Sequence, residues 1–124
     1  MKETFLIKAK AISVNQAYPT GKHGRRFLSP KGKEFKKIVA DTLLYEYNEK
    51  LEKIKSETGK EKYCVEIVFC FKDKRRRDVD DYFKLLIDSL TDVVWKDDSQ
   101  IVKLCGYKIL DDVKNIIYIS IEKL

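Results

Sequence analysis

The sequence is short of the side chains that bind soft metals. It has one histidine, His23, and three cysteines, Cys64, Cys70 and Cys105, with no C-x-x-C spacing. Zinc takes three or four nitrogen or sulfur ligands, and this set is too small and too scattered to supply them. Cys64 and Cys70 fall on one expected strand, about 20 Å apart at the rise of a strand and beyond disulfide reach. The three are expected to be reduced core residues, which suits a cytoplasmic protein. Long apolar runs are also absent. No stretch approaches 18 apolar residues, and the opening MKETFLIKAK has no extended apolar core, so neither a membrane span nor a signal peptide is expected. There is no internal repeat and no low-complexity segment.

What is present fits a globular chain. With 124 residues, 44% of them hydrophobic, one domain over 1–124 with a real core is expected. Charged residues make up 37%, and bases exceed acids by six. That balance makes nucleic acid the leading partner class, against the plain alternative of a soluble lysine-rich protein. A membrane surface is disfavoured, because no basic amphipathic helix with an apolar Trp/Leu face is present.

Hydrophobic periodicity predicts a mixed α+β (α/β) order, β-α-β-α-β-β, one sheet with helices packed on it. Residues 3–9 alternate around Phe5, Ile7 and Ala9 as a strand. Residues 13–28 hold proline, asparagine and two glycines and read as a loop, with a short extended piece at 25–28. Ser29-Pro30 marks a helix start, and Phe35, Ile38, Val39, Leu43 and Tyr47 give that helix one apolar face to about residue 54. Residues 62–71 place Tyr63, Val65, Ile67, Phe69 and Phe71 on one side and only mildly polar residues on the other. That pattern predicts a central strand covered on both faces. A second helix begins near Asp80. Residues 101–110 and 115–122 are strands, expected to form a hairpin through Asp111-Asp112 and Asn115.

The charges are unevenly spread. Residues 21–37 hold seven bases and one acid, and residues 72–77 five bases and one acid, while residues 78–98 hold seven aspartates against two lysines. Ordinary structural accounts exist for single members. Aspartates cap helix starts, Asp80 and Lys84 can form an i,i+4 pair, and Asp97-Asp98 can be a solvated turn. Taken together they explain less, because extra acids at one helix end repel. Converging hard oxygen ligands explain more. Asp78 and Asp80 in extended geometry face one side, and Asp97 and Asp98 precede the next strand. If that strand lies beside 62–71, the two pairs can meet at one sheet end. Carboxylates without histidine or cysteine suit Mg²⁺ or Mn²⁺. Such a metal would make an acidic spot a phosphate site, with surrounding bases holding a DNA strand. An EF-hand fits worse, since Phe83 stands where its loop needs glycine. Lys84 lies a turn from the acids, placed either to stabilise a phosphate or to pair with Asp80 or Asp88. Lys22, Arg25 and Arg26 are candidate phosphate contacts on a loop.

The stretches RRRDVDDYFKLLIDSL and WKDDSQI closely resemble the RusA family of Holliday junction resolvases. VNQAY at 14–18 and FLSPKGKEF at 27–35 are similar to that family's N-terminal half. The resemblance implies a homodimeric, Mg²⁺-dependent endodeoxyribonuclease, with Mn²⁺ able to substitute, that nicks a four-way DNA junction symmetrically in recombination and repair. By position it implies Asp78, Asp80 and Asp98 as metal ligands, Asp97 as a helper, Lys84 as catalytic lysine, and the run Arg75, Arg76 and Arg77 as DNA contacts. Two features depart from the family. Asp81 stands at the usual asparagine, and the Pro-Pro before Asn15 is missing. A non-catalytic DNA-binding module, or a nuclease for other branched DNA, is the competing expectation.

Overall fold

A computed structural model describes all 124 residues. Four strands, β1 (Lys2–Ile7), β2 (Tyr63–Cys70), β3 (Ile101–Ile109) and β4 (Ile116–Lys123), form one mixed sheet in the order β1-β4-β2-β3. The helices are α1 (Val14–Ala17), α2 (Pro30–Asp41), α3 (Asn48–Ile54) and α4 (Phe83–Leu90). The expected α+β class is borne out.

The inner face of the sheet is built from alternating residues. Phe5 and Ile7, then Ile117, Ile119 and Ile121, then Tyr63, Val65, Ile67 and Phe69 are all fully buried. Phe35, Val39 and Leu43 from the second helical region, Leu51 and Ile54 from α3, and Leu85, Leu86 and Leu90 from α4 close over them. Trp95 is also fully buried, beside Tyr63, with its indole N–H donating to Thr91. It is a core residue and not a base-stacking platform.

Several expectations need correction. β3 and β4 do not form a hairpin, because β2 lies between them, parallel to β3 and antiparallel to β4. The reason is in the side chains. β4 offers three isoleucines to the core and gains apolar neighbours on both sides. β3 puts Gly106 and Lys108 on the same face, opposite Ile67 and Phe69, and is suited to an edge. β2 is internal but covered on one face only. Its outer residues Cys64 and Val68 are half-buried and Glu66 is exposed. Of the three free cysteines only Cys70 is buried, and burial together with Asp112 pushes its thiol up to about 11.

The helix expected over 30–54 breaks. Ser29 caps α2 by accepting from the Gly32 N–H, and Pro30 opens it. A π-turn at Thr42–Glu46 then shifts the register before α3. That turn seats Tyr47 edge-on against Phe5 and leaves Tyr45 exposed. The 13–28 loop contains α1 and a tight basic tip, where Gly21 donates to the Arg25 carbonyl and His23 takes φ 62°. No helix is long and apolar enough to cross a membrane.

Candidate active site

The acid-rich stretch occupies the crossover from β2 to β3. The loop after β2 is pinned from within. Arg77 is buried, its guanidinium stacks over the Phe71 ring at 4.0 Å, and it forms a paired contact with Asp73. The Arg77 pair, together with the Arg75 N–H, holds the Asp73 carboxyl well below its usual range. Lys108 from β3 donates to the Arg77 carbonyl. This corrects the expectation for the basic run. Arg75 and Arg76 are exposed and available to a phosphate backbone, whereas Arg77 is consumed by a carboxylate inside the loop.

Asp78 follows in extended conformation, and a 3-10 turn at Val79–Tyr82 precedes α4. Three residues per turn place i and i+3 on one side. Asp78 therefore shares a cleft of about 340 Å³ with Asp81, Arg76, Arg77, Ser13 and Tyr82, and Asp80 lies outside its lining. The extended pairing expected for Asp78 and Asp80 does not occur. Asp81, the departure from the usual asparagine, is thereby Asp78's neighbour in the cleft.

Capping explains some of these acids and not others. Asp97 is a true cap: it accepts from the Ser99 N–H at 3.2 Å, and the Gln100 side chain accepts in return from the Asp97 N–H. The Ser99 amide and the neighbouring Asp98 hold its carboxyl below the ordinary value. Buried Gln100 also donates to Ser56 and to the Glu61 carbonyl, fixing the turn at Asp98–Gln100 to the rest of the fold. Asp78, by contrast, makes no capping hydrogen bond. None of the six ion pairs involves Asp78, Asp80, Asp81, Asp97 or Asp98. The ion pairs use five of the 20 acids, so most acids of the chain are unpaired and these five are not singled out by that alone.

Parallel pairing of β2 and β3 sets Asp78 and Asp97-Asp98 apart. Asp78 follows the C-terminal end of β2, and Asp98 precedes the N-terminal end of β3, where Ile101 is opposite Tyr63. The expected meeting at one sheet end is not found. Asp97 and Asp98 instead line a second cleft of about 560 Å³ with Asp88, Asp92, Lys36 and Lys96. Across the chain no three carboxylates, thiols or imidazoles gather at metal-binding geometry.

Lys84 lies on the first turn of α4 and lines neither cleft. Its Nζ is 3.2 Å from Oδ2 of Asp88, and it sits 5.2 Å from the centroid of the Tyr18 ring. Tyr18, at the end of α1, donates to the same Asp88 oxygen at 2.5 Å. Burial, then the Asp88 bond, raises the Tyr18 hydroxyl well above its ordinary value, so it stays a donor. Lys22, Arg25 and Arg26 are exposed on the basic tip, apart from either cleft lining. The residue-type pattern gave Tyr18, Asp73 and Gln100 no role, and Asp88 only that of a partner to Lys84. Asp88 was visible as i+4 to Lys84, and Tyr18 closed the VNQAY segment, but their meeting is a tertiary fact.

A family model described as Endodeoxyribonuclease RusA matches residues 10–122. The chain belongs to the RusA family. The match spans the basic tip, the pinned loop, both clefts and all four strands except β1. RusA membership makes this an endodeoxyribonuclease fold directed at Holliday junction DNA. No curated protein sequence matches it significantly.

Proposed function

We propose that this RusA-family chain resolves Holliday junctions by paired symmetric nicks, as a homodimer, with Mg²⁺ as cofactor and Mn²⁺ able to replace it. What carries the reading is membership of the RusA family together with the aspartates crowded into 78–98 of an otherwise basic chain. The donor chemistry fits a hard cation. Mg²⁺ keeps several waters and takes one or two carboxylates plus substrate phosphate oxygens, so a closed protein cage is not required. The candidate ligands are Asp78 and Asp80 at one end of the sheet and Asp98, with Asp97 supporting, at the other; one chain alone does not bring the two groups to a single ion. When bound, the ion would supply charge neutralisation at the scissile phosphate and an activated water.

The chain's own residues do the rest. Lys84 offers an ammonium to the developing charge on the phosphate. Arg75 and Arg76 and the tip residues Lys22, Arg25 and Arg26 hold the backbone strands. Two incisions related by symmetry call for two copies related by a two-fold axis. The outer face of the sheet is the surface offered to the second copy. Leu6, Tyr118, Val68 and Tyr107 stand there in one row across all four strands, with Tyr107 58% exposed.

A second reading, a structure-selective binding module or a nuclease for other branched DNA, draws on the division of the carboxylates between two clefts. One experiment separates them. A synthetic four-way junction, a fork and a linear duplex are incubated with the protein, with and without Mg²⁺, alongside Asp78→Asn and Asp98→Asn. Paired nicks in the junction, only with Mg²⁺ and lost in both variants while gel-shift affinity persists, are expected. Binding without cleavage under every metal condition favours the module, and preferential fork cleavage favours the other nuclease. Light scattering should give twice the 14.6 kDa chain mass, and Tyr107→Glu should return it to the monomer.

A further inference from the structure

The basic tip carries one side chain that its charge does not explain. Residues 4–33 hold seven lysines and arginines and no acid. Within that stretch Phe27 follows Arg25 and Arg26 and is 49% exposed. A lone exposed apolar side chain is common on any surface, but this one is held in place without serving the core. Phe27 belongs neither to the buried cluster nor to the half-buried residues packed on it. None of the chain's aromatic pairs or cation–π contacts uses its ring. The ring lies instead against Gly21, where an added Cβ would stand 3.1 Å from Cδ1 and Cε1. The two limbs of the tip are tied by the Thr20–Arg26 bridge, by the Gly21 N–H donating to the Arg25 carbonyl, and by the Phe27 N–H donating to the Pro19 carbonyl at 3.3 Å. Ser29 anchors the tip at its base: its N–H donates to the Ala17 carbonyl and its hydroxyl to the Gln16 carbonyl. Lys22, Arg25 and Arg26 are exposed on the same tip and enter no ion pair.

We propose that Phe27 stacks on a nucleobase whose face is open at the branch point of junction DNA, and that this contact favours branched over linear DNA. A fixed aromatic ring among free cations is the arrangement on which unpaired or unstacked nucleotides settle, the cations taking phosphates and the ring a base face. In a linear duplex each base face is covered by its neighbour, so stacking there requires a base step to be opened first. A four-way junction has four arm-end base pairs at its centre, and their faces are open whenever the arms are not stacked on one another. The phosphate contacts of Lys22, Arg25 and Arg26 are available to either DNA, whereas the ring gains only from the branched one. The inference rests on the junction-binding reading above and involves no metal ion.

The test is equilibrium binding in EDTA, which leaves the junction arms unstacked, to a synthetic four-way junction and to a linear duplex, for wild type, Phe27→Ala, Phe27→Leu and Phe27→Trp. Phe27→Ala should lose roughly 5- to 150-fold in junction affinity, the worth of one base–aromatic stack, and nothing in duplex affinity. The log–log salt slope should stay at the wild-type value, because no charge is removed. Phe27→Leu, which keeps an apolar side chain against Gly21, should lose junction preference as Phe27→Ala does. Phe27→Trp should keep it, and its added tryptophan emission should be quenched by the junction and not by the duplex. Equal losses on both DNAs, wild-type junction preference in Phe27→Ala, or full preference in Phe27→Leu overturns the stacking role. A wild-type protein that binds the junction no better than the duplex refutes the junction reading and this proposal with it. Wild-type junction preference that survives in Phe27→Ala refutes the proposal alone.

Discussion

Gly106 is a point of close approach between the sheet and α4. It lies on β3 opposite Ile67, and the Phe83 ring fills the space a side chain would take. A Cβ at 106 would stand 2.4 Å from Cε1 and 2.5 Å from Cζ of Phe83. Carbon atoms rest about 3.5–4.0 Å apart, so the ring would have to retreat by about 1.1–1.6 Å. Phe83 already packs on Phe69 at a centroid distance of 5.8 Å, which restricts its escape. Overpacking of this kind costs about 1–3 kcal/mol. Removing a strand glycine returns roughly 0.5–1 kcal/mol of backbone entropy. The clash should win, and Gly106→Ala should lose about 0.5–2 kcal/mol. The larger effect should be on cleavage. Phe83 immediately precedes Lys84, and a shift of about 1 Å in a reacting group can cost on the order of 100-fold. Urea unfolding and single-turnover junction cleavage at saturating protein measure the two effects. A lower urea midpoint, slower cleavage and unchanged junction affinity are expected, with recovery in Gly106→Ala/Phe83→Leu. Wild-type midpoint and rate in Gly106→Ala would refute the argument.

Two further outcomes follow from the charges. Junction binding should fall steeply with salt, and Arg75→Ala or Arg76→Ala should each reduce the log–log salt slope by about 0.9 per lost phosphate contact, whereas an unchanged slope in both would remove them from the interface. Asp73→Asn should destabilise the fold by leaving Arg77, 4% exposed, without its counter-charge. Because Arg77 depresses the folded-state pKa of Asp73, the stabilisation is present above the unfolded value of about 3.9 and is lost as pH falls below it towards the folded pKa. Acid titration of the urea midpoint should therefore show wild type and Asp73→Asn converging below about pH 4; a gap that stays constant to pH 2 would contradict the pairing.

The strands were readable because β1, β2 and β4 alternate cleanly, with Phe5, Ile67 and Ile119 in register across the core. Strand order was not readable. Asp111-Asp112 and Asn115 carry turn chemistry, but the turn crosses over the end of β2 and closes no hairpin. What decides the order is which strand gains most from two apolar neighbours. The site was half legible. The aspartates, Lys84 and the exposed arginines could be picked out by residue type and spacing. The inward turn of Arg77 could not, because it depends on Phe71 and Asp73 closing around it. Nor could the sharing of Asp88 between Lys84 and Tyr18, which requires α1 and α4 to meet. The local 3-10 turn also changed Asp78's neighbour from Asp80 to Asp81, a rearrangement of one residue that periodicity does not resolve.

The inward arginine makes the three members of the basic run unequal under exchange for lysine. At 75 and 76 a lysine keeps the charge that a phosphate needs. At 77 a lysine would keep the charge and lose the planar fork that grips both oxygens of Asp73 while lying flat on Phe71. Sequences drifting from this one can therefore interchange Arg and Lys freely at the first two positions, while the third is held to arginine as long as aspartate and an aromatic ring stand at 73 and 71.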